Sequence, residues 1–306
     1  MNKKIIIETK DLCKSFGKRK AIDNLNLIVE EGDIYGFLGP NGAGKTTTIR
    51  MLLGLILPTM GKAFVNGYDI STQLEKALSK VGAIVENPSS YTYLSGYENL
   101  KLRANLFPDT PKSRIEEVLE IVNLKERSKD KVKTYSLGMK QRLGIAMALI
   151  SNPGLIILDE PTNGLDPQGM KEVKELITQL AKQNKVTFFI STHLLNEVEQ
   201  ICSKVGILKD GKLLAQGDTD LLTDSKDEII HIDTIDVAKA LSVLDNINFI
   251  KTVKPLTNKV IVEIEQGNSS KLNQLLISNG VDVSFISKES NALEKFFFEL
   301  TGEVSK

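Results

Sequence analysis

Gly39-Pro-Asn-Gly-Ala-Gly-Lys-Thr-Thr47 decides how the rest of the chain is read. It fits a glycine, four further residues, then Gly-Lys and Ser or Thr, a loop whose backbone N–H groups wrap phosphate oxygens. Gly39, Gly42 and Gly44 let the backbone turn tightly. Lys45 supplies a positive charge for β- and γ-phosphates, and the Thr46 hydroxyl is placed to hold Mg²⁺. The flanks agree. Residues 33–38 (Asp-Ile-Tyr-Gly-Phe-Leu) predict a buried strand entering the loop. Residues 47–53 predict a helix leaving it, with its positive end at the phosphates. A chance glycine-rich turn is the competing reading, and it accounts for neither flank.

At 306 residues the chain has room for two domains, and with 41% hydrophobic and 25% charged residues it reads as globular. Lys+Arg and Asp+Glu are equal at 39 each, so no net basic field calls for nucleic acid. Cys13 and Cys202 have no metal-ligand spacing and are expected as buried thiols, not a disulfide. The apolar run at residues 5–7 is too short for a signal peptide, and Glu8 ends it. No stretch approaches the apolar length of a membrane-spanning helix, so a membrane role is expected to run through a partner chain.

Outward from the loop, residues 5–9 and 21–29 read as strands. Between them Phe16 stands among Lys14, Lys18 and Arg19, either as a platform for a flat purine or as a packed hairpin aromatic. Residues 62–67 and 81–85 are further strand candidates, the second stopped by Glu86-Asn-Pro88. From Gly96 to about Asp130 the period turns helical, with Ile115, Val118, Leu119 and Val122 on one face. A helical insertion in an α/β core is expected there. Ser136 precedes a long apolar helix over residues 143–150; it is either an N-cap or, with Gly138, part of an oxyanion site.

Gly154-Leu-Ile-Ile-Leu-Asp-Glu-Pro161 is more specific. Four apolar residues make a fully buried strand, and two carboxylates stand at its end, where ionised groups need a cation or hydrogen-bond donors. Asp159 suits Mg²⁺, and Glu160 suits a general base that deprotonates an attacking water. Residues 164–166 (Gly-Leu-Asp) follow as a loop. Residues 186–190 predict another buried strand, which delivers Ser191-Thr-His193 to the place where open α/β sheets bind ligands. Residues 205–208 and 212–215 predict a hairpin turned at Asp210-Gly211. Beyond a polar linker at 218–227 the order is strand 228–232, helix 237–244, strands 249–253 and 259–265, helix 269–277 and strand 281–287: βαββαβ, a ferredoxin-like order. A short aromatic-rich helix is expected over 292–301. No catalytic constellation is visible in this last part.

Taken in order, these motifs resemble the ATP-binding cassette (ABC) ATPases of membrane transporters. The resemblance runs over about residues 5–220. It implies an α/β, P-loop NTPase core of the ABC type with a helical insertion at about 88–150. That core occupies 1–220, and a small α+β ferredoxin-like domain occupies 221–306. It also implies ATP and Mg²⁺ as cofactors. Phe16 becomes the adenine platform, and Gly39, Asn41, Gly42, Gly44, Lys45, Thr46 and Thr47 become the phosphate loop. Tyr135-Ser-Leu-Gly-Met139 stands for the signature loop, with Ser136 and Gly138 meeting the nucleotide of a second cassette. Asp159 and Thr46 serve the metal, Glu160 the proton transfer, Asp166 the loop after it, and His193 the switch position. Two departures stand out. The signature loop is usually Leu-Ser-Gly-Gly-Gln. The residue after the 81–85 strand is usually glutamine, where this chain has Glu86, a candidate Mg²⁺ neighbour.

Residues 91–100 and the C-terminal Leu293 to Thr301 stretch are similar to the bacitracin-resistance and lantibiotic-immunity branch. The implied role is the ATP-hydrolysing subunit of a drug or antimicrobial-peptide exporter. It would work as a homodimer, peripheral on the cytoplasmic face of the membrane, with a transmembrane permease on a separate chain and no nucleic acid. The competing role is a soluble cassette ATPase acting on nucleic acid or ribosomes. A single cassette and the lack of a basic arm weigh against it.

Overall fold

The computed structural model describes residues 3–86, 88–219, 227–245, 247–288 and Phe297. The chain divides into two compact units, Met1–Thr219 and Asp220–Lys306.

The strands of the first unit, in chain order, are β1 (Ile5–Phe16), β2 (Arg19–Leu25), β3 (Ile28–Glu30), β4 (Ile34–Leu38), β5 (Met60–Val65), β6 (Tyr68–Asp69), β7 (Val81–Ile84), β8 (Leu155–Asp159), β9 (Thr187–Thr192), β10 (Lys204–Lys209) and β11 (Lys212–Asp218). Its helices are α1 (Lys45–Leu52), α2 (Leu74–Leu78), α3 (Gly96–Ala104), α4 (Ser113–Ile121), α5 (Leu137–Leu149), α6 (Pro167–Asn184) and α7 (Leu195–Ile201).

β10, β4, β9, β8 and β7 lie side by side and parallel, with β11 antiparallel at the edge. β4, β8 and β9 are buried at every residue, as continuous apolar runs in a sheet covered on both faces must be. Parallel strands end at the same edge. The segments after β4, β7, β8 and β9 therefore emerge together, and they carry the phosphate loop, Glu86, Glu160 and His193. A second, antiparallel sheet of β2, β1, β5 and β6, with β3 also on β1, shares a core with the first through Ile7, Leu25, Phe37, Leu155 and Phe189.

Several elements differ from their sequence expectation. β1 runs on to Phe16 because Asp11, in the left-handed region at φ 47°, absorbs an irregularity without ending the pairing. The expected strand 21–29 is two strands, parted at Asn26 and Leu27, which belong to neither. The helix expected over 143–150 begins at Leu137, since Ser136 caps it by accepting from the Met139 N–H at 3.2 Å. The 18-residue α6 follows the Gly164-Leu-Asp166 loop, starting on Pro167 with Asp166 as its cap.

The second unit holds β12 (Asp227–Asp233), α8 (Val237–Leu244), β13 (Ile250–Leu256), β14 (Lys259–Glu265), α9 (Ser269–Ser278) and β15 (Phe285–Lys288). The sheet order β13-β14-β12-β15, all antiparallel, is the ferredoxin-like arrangement expected of βαββαβ. Val260, Val262 and Ile264 alternate onto the face that meets Ala240, Leu244, Leu272 and Leu276 of the helices. The last strand starts at Phe285, later than the expected 281. The helix expected over 292–301 and most of the linker expected over 218–227 lie outside the described residues.

Candidate active site

The site is built on the carboxyl edge of the parallel sheet. Gly39 directly follows β4, and its N–H donates to the Thr192 carbonyl at 3.2 Å. A Cβ on Gly39 would lie 2.3 Å from the Leu208 carbonyl oxygen, and one on Gly44, at φ 113°, 2.8 Å from that of Ala21. Neither place admits a side chain, so the loop is pressed against β10 and β2. Lys45 opens α1 and is only 5% exposed. Its ammonium donates to the Gly39 carbonyl at 2.7 Å and the Pro40 carbonyl at 3.2 Å, and lies 3.2 Å from a Glu160 carboxylate oxygen. Thr46 and Thr47 are half-buried in the first turn of α1, and Asn41 and Gly42 are exposed.

Asp159 closes β8 and is buried; its carboxylate accepts from the Ser191 hydroxyl at the end of β9. Glu160 follows with φ 46°, a strained conformation for a residue with a Cβ. Ser191 holds it there: the Glu160 N–H donates to the Ser191 hydroxyl at 3.0 Å and to its carbonyl at 3.1 Å. The Glu160 carboxylate then spans two groups, Lys45 through one oxygen and His193 Nδ1 through the other at 2.9 Å. An ionised carboxylate only accepts, so Nδ1 carries the proton of this contact.

Behind the edge lies an acid that sequence reading passed over. Glu197, in α7, is buried; one carboxylate oxygen accepts from the Thr162 hydroxyl and the other from the Thr192 hydroxyl at 2.7 Å. Burial pushes the Cys202 thiol at the end of the same helix strongly up, with the Glu197 carboxylate adding to it. Ser191, Thr192 and Thr162 were also missed. The signal was their place directly beside Glu160 and His193 at the ends of buried strands.

The remaining candidates lie apart from this cluster. Phe16 is 53% exposed at the β1–β2 turn, with the Lys14 ammonium 5.2 Å over its ring. Glu86 adopts φ 62°, is exposed, and pairs with Arg50 in the last turn of α1. Arg50 is four residues beyond Thr46, about 6 Å along the helix axis. The structure thus engages Glu86 on the surface, with Arg50 and not with the Asp159 group. Ser136 is exposed at the start of α5, and Asp166 caps α6 through the Gly169 N–H at 2.9 Å. The two helix starts adjoin, since a Cβ on Gly138 would lie 3.5 Å from the Gly169 Cα.

For Mg²⁺ the donor set fits. Asp159 is a buried carboxylate and Thr46 a hydroxyl, both hard oxygen donors. Among the described residues no three acidic, histidine or cysteine side chains converge as a metal cage.

The ABC transporter family pattern matches residues 22–163. Over 298 residues the chain is 46% identical to the bacitracin transport ATP-binding protein BcrA of Bacillus licheniformis, covering 97% of both chains. The chain belongs to the ABC transporter family. As an ABC ATPase it also resembles the linearmycin resistance ATP-binding protein LnrL of Bacillus subtilis, 34% identical over 97% of this chain and 98% of that one. A solved ATP-binding subunit of an ABC transporter superposes with a TM-score of 0.63 at 30% identity, covering 71% of this chain and 91% of its own. Among the described residues no helix of this cassette is long and apolar enough to cross a membrane.

Proposed function

We propose that this ABC ATPase energises the export of an antimicrobial peptide or drug, through a membrane-spanning permease on a separate chain. The observation that carries the hydrolytic part is the Glu160 carboxylate held between Lys45 and His193. ATP phosphates outcompete two carbonyls and one carboxylate for the Lys45 ammonium, because they concentrate more charge. Lys45 then binds the β- and γ-phosphates, and Glu160 is freed. Its carboxylate takes the proton of a water attacking the γ-phosphorus as the bond to the β-phosphate oxygen breaks. His193 keeps that carboxylate oriented through Nδ1. Thr46 and Asp159 would hold Mg²⁺, which when bound neutralises charge on the phosphate oxygens. Phe16 takes the adenine ring on an exposed face.

Ser136 is exposed at the start of α5, and Gly138 adjoins Gly169 of α6. Two adjoining helix starts, at α5 and α6, present N–H groups and positive partial charge outward. That arrangement supports a second copy of the cassette, whose γ-phosphate they would meet, with Asp166 beside it. The export reading rests on relatives named for bacitracin transport, lantibiotic transport and linearmycin resistance. It places the subunit on the inner face of the membrane, and no observation favours a nucleic-acid role.

The test is affinity purification of the tagged full chain from detergent-solubilised membranes, with a peptide-antibiotic growth assay. Expected are co-purification of a hydrophobic membrane protein and loss of antibiotic tolerance in Lys45→Ala. Recovery of the chain only from the soluble fraction, with tolerance unaffected by Lys45→Ala, would contradict the export reading.

A further inference from the structure

We propose that Glu197 is a positioning residue of the hydrolytic site: its buried carboxylate ties the turn carrying Glu160 to the loop carrying His193 and so holds their contact. The inference rests on the base assignment above. The two loops leave different strands, β8 and β9, and meet at the Glu160–His193 contact. Each is anchored behind that contact by a threonine two residues or one residue away, Thr162 after Glu160 and Thr192 before His193. Both threonines are buried, and both hydroxyls donate to Glu197, one to each oxygen.

Thr192 passes the constraint on. While its hydroxyl donates to Glu197, its oxygen accepts from the Leu194 N–H at 3.0 Å, which fixes the backbone on both sides of His193. On the other side, Thr162 belongs to a tight turn in which the Asn163 N–H donates to the Glu160 carbonyl and the Leu165 N–H to the Thr162 carbonyl, both at 3.1 Å. Glu197 itself is seated in the first turn of α7, where its N–H donates to the Leu194 carbonyl at 3.1 Å. Buried acids elsewhere, such as Glu228 with Lys288, also bridge elements, but away from the catalytic edge. This one joins the two segments whose side chains must meet for catalysis, and a carboxylate is the side chain that accepts at two oxygens at once.

Glu197→Gln keeps the shape but leaves one acceptor oxygen, so only one of the two hydroxyls can still donate and the other must turn to accept from the amide. Thr192→Val keeps the β-branched shape without the hydroxyl, and Thr192→Ser keeps the hydroxyl. In the full chain, kcat of Glu197→Gln and of Thr192→Val is expected to fall about tenfold, with KM for ATP within about twofold, because the bond from Gly39 uses the Thr192 backbone carbonyl, which both substitutions keep. Thr192→Ser is expected to retain the wild-type rate. The chain has two histidines, so the imidazole NMR spectrum is simple and His231 in the second unit serves as the internal reference. Signals of His193 in Glu197→Gln and Thr192→Val should move in the direction seen in Glu160→Ala, with His231 unmoved. If His193 signals and kcat stay at wild-type values in both variants, the inference is overturned while the base assignment stands. Retained turnover in Glu160→Gln would instead overturn the base assignment, whatever Glu197 does.

Discussion

The parallel sheet of the first unit and the antiparallel sheet of the second both bury apolar strands under helices, yet they treat polar side chains differently. β8 and β9 are buried along their whole length and end in Asp159, Ser191 and Thr192, with Glu197 packed behind. β14 alternates instead, burying Val260, Val262 and Ile264 and leaving Lys259, Ile261 and Glu263 half-exposed. The buried acid of the second unit, Glu228, is met by Lys288 at 2.9 Å from the adjacent end of the same sheet. At the catalytic edge of the first unit Asp159, Glu160 and Glu197 are met by hydroxyls and by groups that themselves belong to the site, whereas Asp33, buried before the start of β4, is met by Lys3 and Lys204. Burying polar groups is costly. The first unit bears most of that cost for its acids at the carboxyl edge, where phosphate chemistry needs a dry, charged surface. The second unit's organisation is that of a packed α+β fold.

The largest effect that sharpens this contrast is at Lys45. Lys45→Ala should weaken ATP binding about a hundredfold or more in a filter assay, since a desolvated cation is lost from the phosphates. Near-normal affinity would mean the charged edge is not where phosphate binds. The contrast breaks from the other side if the second unit proves necessary for nucleotide binding. Ile232 is fully buried there, and Ile232→Ala should cost about 2–5 kcal/mol in that unit's unfolding by calorimetry. ATP affinity is expected to stay unchanged.

Glu86→Gln should change stability by less than about 1 kcal/mol, as its pair with Arg50 is exposed, and should retain hydrolysis. An Mg²⁺ titration of activity that overlays the wild type assigns Glu86 to the surface pair; a displaced curve brings it to the metal.

The smallest effect is a pH slope. The Lys204 ammonium beside Glu30 holds that carboxyl below its usual range. Its contribution to stability is present above the ordinary carboxylate pKa and is lost as pH falls through the depressed folded value. Lys204→Met should flatten the acid limb of a stability–pH curve without altering turnover at neutral pH.

Much of the catalytic edge was legible in the sequence. Apolar runs before Gly39, Asp159 and Ser191 read as buried strands, and parallel strands bring their following residues to one edge. What was not legible depended on partners distant in sequence. Glu197 sits on α7, a seven-residue helix that no long period announces, and its two hydroxyl partners come from separate loops. α6 was also missed, although Val173, Leu176, Ile177 and Leu180 recur at helical spacing behind the Asp166 cap and Pro167 start. Glu86 shows a contact that sequence did not announce: its position after β7 suggests the metal, and here the chain turns at φ 62° and its carboxylate pairs with Arg50.

Glu160 bears most of the functional reading, and one paired measurement on Glu160→Gln tests it directly: equilibrium ATP binding and steady-state hydrolysis on the same preparation. The amide keeps the shape and cannot accept the water's proton. Binding should therefore remain within a few-fold of wild type while turnover falls by about 10²–10⁴. Turnover close to wild type, with binding intact, would mean that the proton leaves by another route and that the Lys45–Glu160–His193 contact is not the hydrolytic centre.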